Sequence, residues 1–163
     1  MKCRLEIELS SLGFGDVTLR TPNGEVVTHN LKEELKINEY DLNTEFHNQS
    51  SKYVYWTSLL ETVRAYLESA QLLSERTRAA LYEPCRQDLI SGGVAKPTKD
   101  QIDSEIMKNA EYISTVTQVN NYTYYVKNLQ YAVKAFEQRK DMLIQLGAEQ
   151  RRQRDYEIAL KSL

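Results

Sequence analysis

Val119-Asn120-Asn121-Tyr122-Thr123-Tyr124-Tyr125-Val126-Lys127-Asn128-Leu129-Gln130-Tyr131-Ala132-Val133-Lys134-Ala135-Phe136 decides the fold, because Val119, Tyr122, Val126, Leu129, Val133 and Phe136 recur at alternating steps of three and four. That spacing is the apolar seam of a paired helix. Neither Pro nor Gly occurs from Thr98 to Leu146, and Ile102, Ile106, Ala110, Ile113 and Thr117 extend the seam toward the N-terminus. One helix from Asp100 to about Asp155 is predicted, roughly 80 Å long at 1.5 Å per residue. A compact domain of this size needs no helix of that length internally, so the stretch points to helix pairing and assembly.

Upstream, Ser91-Gly92-Gly93-Val94-Ala95-Lys96-Pro97 reads as a helix stop and a loop, after which Thr98 or Asp100 can cap the long helix. Before the loop, Phe46, Tyr53, Trp56, Leu60, Val63, Leu67, Ala70, Leu73 and Leu81 recur near helical period. A helix is expected from about Asn43 to about Glu83, with Pro84 kinking or ending it because the ring removes a backbone donor. In residues 30–48, Leu31, Leu35 and Ile37 fit a short helix or strand, while Asn38, Asp41 and Asn43 form turns.

Residues 4–9 alternate charged and apolar side chains, as a half-buried strand does. Asp16–Arg20 and Glu25–Thr28 flank Thr21-Pro22-Asn23-Gly24, a turn signal. Three short strands are marginal alone and need helices or another subunit to pack on. The expected fold is mainly α: a long antiparallel helical hairpin or coiled coil over residues 31–163, with a small N-terminal β-meander over residues 1–30.

The chain has 163 residues, 41% of them hydrophobic, which suffices for a core. Twenty-one Lys and Arg against 23 Asp and Glu leave a charge of −2, so any attraction to nucleic acid must be local. Eleven Tyr against three Phe and one Trp supply rings suited to helix interfaces and to base stacking. Cys3 and Cys85 lack metal-ligand spacing and read as free thiols of a reducing compartment. No apolar run spans a membrane, and Lys2 and Arg4 do not lead into a secretory peptide. His29 and His47 are too few for a metal site, Gly92-Gly93 lacks a phosphate-loop context, and no nucleophile elbow exists. Neither enzyme chemistry nor a cofactor is expected.

Three clusters remain. Arg76, Arg78, Tyr82 and Arg86 end the first long helix, close in sequence to Lys96 and Lys99, with Glu83, Asp88 and Asp100 as diluting acids. Such a basic end with an aromatic suits sequence-tolerant single-strand binding; a solvated helix end is the plain alternative. Tyr122, Tyr124, Tyr125 and Tyr131 form the second: Tyr122 belongs to the seam, whereas Tyr124 and Tyr125 point off it toward another subunit or solvent. The third is Arg139-Lys140 followed by Arg151, Arg152 and Arg154, a basic helix end that complements the dipole or contacts DNA or a neighbour.

From about Leu35 onward the chain resembles the UvsY-type recombination mediators of tailed phages. The resemblance rests on Leu35–Leu42 leading through Asn48 and Tyr53 to Tyr55-Trp56-Thr57-Ser58-Leu59-Leu60, on Arg86-Gln87-Asp88-Leu89-Ile90-Ser91-Gly92, and on Lys96-Pro97-Thr98-Lys99 with Ile102, Glu105, Ile106 and Tyr112. Pro84 stands where the family has a Lys two positions before the Arg, so only Arg86 carries over there. The first 30 residues have no counterpart. The resemblance implies a homo-oligomeric ring of about six or seven subunits in the cytoplasm of an infected bacterial host. Its expected partners are single-stranded DNA, the phage recombinase that it loads and the single-strand-binding protein that it helps displace. Such a role serves recombination, repair and replication without an active site, since a weak patch repeated around a ring binds one strand tightly. The DNA contacts expected are Arg76, Arg78, Arg86, Lys96 and Lys99, with Tyr124, Tyr125, Arg151, Arg152 and Arg154 as DNA or subunit contacts. The rival reading is a coiled-coil scaffolding protein of phage assembly that binds no DNA.

Overall fold

A computed structural model describes residues 6–9, 15–20 and 25–161. Strands β1 (Glu6–Leu9), β2 (Asp16–Arg20) and β3 (Val26–Asn30) precede helices α1 (Leu31–Leu35), α2 (Leu42–Ser91), α3 (Lys99–Lys108) and α4 (Ala110–Lys161). The fold is mainly α, with two long helices and one small antiparallel sheet in the order β1-β2-β3. Cys3, the start of the first expected strand and the Thr21–Gly24 turn lie outside the described residues. The chain divides into two compact units: Met1–Leu60 with Lys127–Leu163, and Glu61–Val126.

In the first unit, α2 and α4 pair antiparallel. Trp56 stacks on Phe136 with ring centroids 5.9 Å apart and 20° between planes, and both side chains are fully buried. Leu59, Leu60, Leu129, Ala132 and Leu143 complete this layer. Phe46, expected in the seam, is instead partly exposed on α4 at Gly147, where a Cβ would come within 3.3 Å of its ring. The sheet buries Ile7, Val17 and Leu19, with Ile7 opposite Leu19 and Val17 opposite His29. His29 then reaches both α1 and α2: its Nδ1 lies 2.7 Å from Glu34 Oε1 and its Nε2 lies 2.7 Å from the Tyr55 hydroxyl. Trp56 Nε1 donates to the other Glu34 oxygen at 3.2 Å. Through this chain of polar contacts the short strands gain the helical support they require.

Arg139 is the main departure from the expected surface position. Its side chain is buried, because the step from Phe136 through Arg139 to Leu143 keeps it on the paired face of α4. The guanidinium donates to the Leu35 carbonyl (3.2 Å), the Lys36 carbonyl (3.0 Å), Gln49 Oε1 (2.5 Å) and the Glu45 carboxylate. Gln49 in turn donates to the Phe136 carbonyl at 2.7 Å. Five donors in a planar fork can satisfy this divergent set, which no other side chain can.

Burial pushes the Glu45 carboxyl up, but the Asn38 N–H and the Arg139 guanidinium outweigh it and hold the group below its usual 4.5. The folded state therefore binds this proton less readily than the unfolded chain. The resulting stabilisation is complete above pH 4.5 and disappears as pH falls through the folded value. Urea titrations at a series of pH values should show a steeper acid loss of stability in the wild type than in Glu45→Gln; parallel curves would refute this linkage.

In the second unit the helix does not end at Pro84, one of the two outcomes expected there: α2 runs through it to Ser91. Pro84 is exposed and the carbonyl it leaves without a donor, on Ala80, lies on an exposed residue open to water. Meanwhile the flanking Leu81, Cys85 and Leu89 pack on Ile102, Ile106 and Tyr112, so tertiary contact outweighs the local cost. The helix stops where the glycines predict. Gly93 takes φ +98°, its N–H donates to the Ile90 carbonyl, and the Val94 N–H donates to the Leu89 carbonyl, which together make a Schellman motif. Thr98 caps α3 through a capping box with Gln101.

The long helix predicted from Asp100 to Asp155 is interrupted at Asn109, which closes α3 and opens α4. Its backbone is extended, and its side-chain oxygen accepts from the Glu111 N–H (2.9 Å) and the Tyr112 N–H (3.4 Å). A well-placed Asn can compete with the helix ladder in this way. Along the α2–α4 pairing in this unit, Tyr66 meets Tyr122 and Thr115 meets Ser74, while Leu73, expected in the seam, is partly exposed and Thr77 is buried instead.

Candidate nucleic-acid interface

The expected DNA contacts all fall in the second unit, on the last turns of α2, the connecting loop and the first turn of α3. Each is exposed. Arg76 and Arg78 are roughly 200° apart around α2 at 100° per residue, so they do not share a face. Arg78 turns to α3 and pairs with Asp103 at 3.0 Å, a hydrogen bond and charge contact that raise its already high pKa. Arg86 pairs with Glu83 at 3.0 Å, one turn earlier. Gln87 and then the Arg86 charge lower the Glu83 carboxyl pKa. Lys96, Lys99 and Arg76 form no ion pair among the described residues. Tyr82 is exposed on the same stretch of helix.

Two carboxylates that the sequence reading did not count, Asp103 and Glu105, stand on α3 beside these cations; Glu105 pairs with Lys108 at 2.6 Å. Spacing within one helix reveals i,i+3 pairs such as Glu83–Arg86, but the Arg78–Asp103 pair depends on how α3 folds back on α2. Exposed pairs of this kind contribute little to stability, so a phosphate can displace Glu83 from Arg86 at little cost.

The tyrosines of this unit form a graded series. Tyr66 and Tyr122 are half-buried with centroids 5.9 Å apart, Tyr125 lies 6.2 Å from Tyr122, and the exposed Tyr124 lies 6.1 Å from Tyr125. Tyr124 thus faces outward as expected, whereas Tyr125 is half-buried against the seam residue. Cys85 is a buried free thiol; burial raises its pKa, with Asp88 and Glu105 adding to the effect.

In the first unit, Arg151, Arg152 and Arg154 are exposed near the end of α4, and Arg152 pairs with Glu149 at 2.9 Å. The buried Arg139 does not join them, so the basic cluster loses its first member to the core.

Among the described residues no group of three His, Cys, Asp or Glu side chains is arranged to hold a metal ion, and no helix is long and apolar enough to cross a membrane. No family model, curated protein or solved structure matches the chain.

Proposed function

We propose that this protein is a single-stranded-DNA-binding recombination mediator: a non-enzymatic oligomer that holds a strand, helps displace single-strand-binding protein and loads a phage recombinase in the cytoplasm of an infected host. The observation that carries the DNA contact is the set of exposed, unpaired cations Arg76, Lys96 and Lys99, joined by half-exposed Arg86 and by the Tyr82 ring. Cations of this kind bind phosphate without first breaking a strong internal pair, and a ring multiplies a weak contact into a tight one. The nature of the partners comes from the resemblance in the Leu35–Leu60, Arg86–Gly92 and Lys96–Tyr112 stretches.

A labelled oligothymidylate should bind the wild type at low salt, with affinity falling steeply as salt rises. Lys96→Ala with Lys99→Ala should weaken binding and flatten the dependence of log K on log salt by about 1–2. Fluorescence anisotropy at several salt concentrations measures both. Absence of binding at low salt would sink the proposal in favour of a scaffolding role.

A further inference from the structure

The last turns of α4 carry a second seam. Met142, Leu146, Glu149, Gln153, Tyr156 and Leu160 follow one another in steps of four, three, four, three and four. At 100° per residue they all lie within about 40° of Met142 on one face of the helix. This is coiled-coil spacing, but the far half of the stripe is open: Gln153 is exposed, Tyr156 is 67% exposed and Leu160 54%. The near half borders a hollow. An open groove of about 640 Å³ in the first unit is walled by Met142 and Leu146 on α4 and by Leu35 and Ile37 before α2, with Glu149 and Arg152 also lining it. One half of the stripe is thus a hole with apolar walls, and the other is a row of projecting side chains.

The stripe is also complementary to itself. Its positions are symmetric about Arg151, so an antiparallel copy sets the partner's Leu160 on Met142, the partner's Tyr156 on Leu146 and the partner's Gln153 opposite Glu149. The projecting side chains of each chain then enter the groove of the other, the reciprocal contact of a two-fold interface. Charge matches as well. Arg152 pairs with Glu149 of its own chain at 2.9 Å, and antiparallel packing brings it within about 1.5 Å along the axis of the level of the partner's Glu149. Two arginines and two glutamates therefore meet at the centre with no net charge. A parallel copy would instead set Glu149 against the partner's Glu149, like charges at a seam position.

We propose that this face of α4 pairs two copies of the chain, antiparallel and two-fold symmetric about Arg151, with Tyr156 and Leu160 of each copy seated in the groove between Leu35, Ile37, Met142 and Leu146 of the other. Arg151, Arg154 and Ile158 fall on the opposite side of the helix and stay outside the contact. The inference gives the oligomer of the reading above one of its contacts; it rests on the self-association in that reading and not on strand binding.

Sedimentation velocity of the full chain without DNA, over a series of concentrations, measures the contact. Tyr156→Asp with Leu160→Asp should weaken self-association by about tenfold or more and lower the sedimenting mass. Helix content by circular dichroism should stay as in the wild type, since both side chains are exposed. Ile158→Asp, on the opposite face of the same turns, should leave the mass unchanged. Orientation is read from charge: Glu149→Lys should weaken association and added Gln153→Glu should restore it, because antiparallel packing sets position 149 against 153. Wild-type mass in the Tyr156→Asp, Leu160→Asp variant would overturn the inference, as would an equal loss in Ile158→Asp or no restoration by Gln153→Glu. A wild type that is monomeric at every concentration would overturn it and take the oligomer out of the mediator reading. Absence of oligothymidylate binding, with the mass changes as expected, would sink the mediator reading and leave this contact standing.

Discussion

Arg139→Ala is expected to destabilise the protein by about 3–5 kcal/mol, the range found when one partner of a buried ion pair is removed. The loss comes less from the missing attraction than from what remains. The Glu45 carboxylate keeps the Asn38 N–H and the charge of Lys52 but loses its guanidinium, and the Leu35 and Lys36 carbonyls and Gln49 Oε1 lose the donor they share. Arg139→Lys should recover little, since one ammonium cannot reach four divergent acceptors. Glu45→Gln added to Arg139→Met should cost less than the two single changes summed, because it removes the orphaned charge. Urea unfolding followed by circular dichroism gives all of these values; a loss under about 1 kcal/mol for Arg139→Ala would show that the pair behaves as a surface contact.

Trp56→Ala should cost a similar 3–5 kcal/mol, through the cavity beside Phe136 and the lost hydrogen bond to Glu34. The contrast with Trp56→Phe is informative. Phenylalanine keeps a ring against Phe136 but gives Glu34 no donor, so the smaller loss of about 1–2 kcal/mol reports the polar contact together with the reduced ring size. Trp56 is the single tryptophan, so circular dichroism and not fluorescence must follow unfolding of both variants. Equal losses for the two substitutions would mean that packing on Phe136 contributes nothing.

The helical pairing was legible because apolar spacing is a direct consequence of helix geometry: Val126, Leu129 and Phe136 are buried where the steps of three and four place them. The stop at Gly92-Gly93 and the cap at Thr98 were legible for the same local reason, since positive φ and an N-terminal side-chain acceptor belong to particular residue types. Pro84 did not mark the end of α2 because its cost is local while its remedy, the packing of Leu81, Cys85 and Leu89 on α3, is not. Asn109 misled in the opposite sense: within a stretch free of Pro and Gly, one side chain that caps α4 was enough to end α3.

Among candidate site residues, the cations could be named but their partners across helices could not. Arg78 is tied to Asp103 and Arg139 to Glu45, and each pair joins segments distant in sequence. Arg139 did carry a signal, its place between Phe136 and Leu143 on the seam. Charge suggested surface, and the acceptors that satisfy it in the core, the Leu35 and Lys36 carbonyls with Glu45 and Gln49, come from a segment distant in sequence.

The last described polar contact of α4 with the start of the helical region is Gln150 to the Glu39 carbonyl, and residues 151–161 are exposed throughout. A free peptide of that length would be mostly coil, because starting a helix is far more costly than lengthening one. Here the turn already formed over Leu143 serves as the nucleus. Arg151, Arg152 and Arg154 are thus held in helical spacing by order inherited from the core.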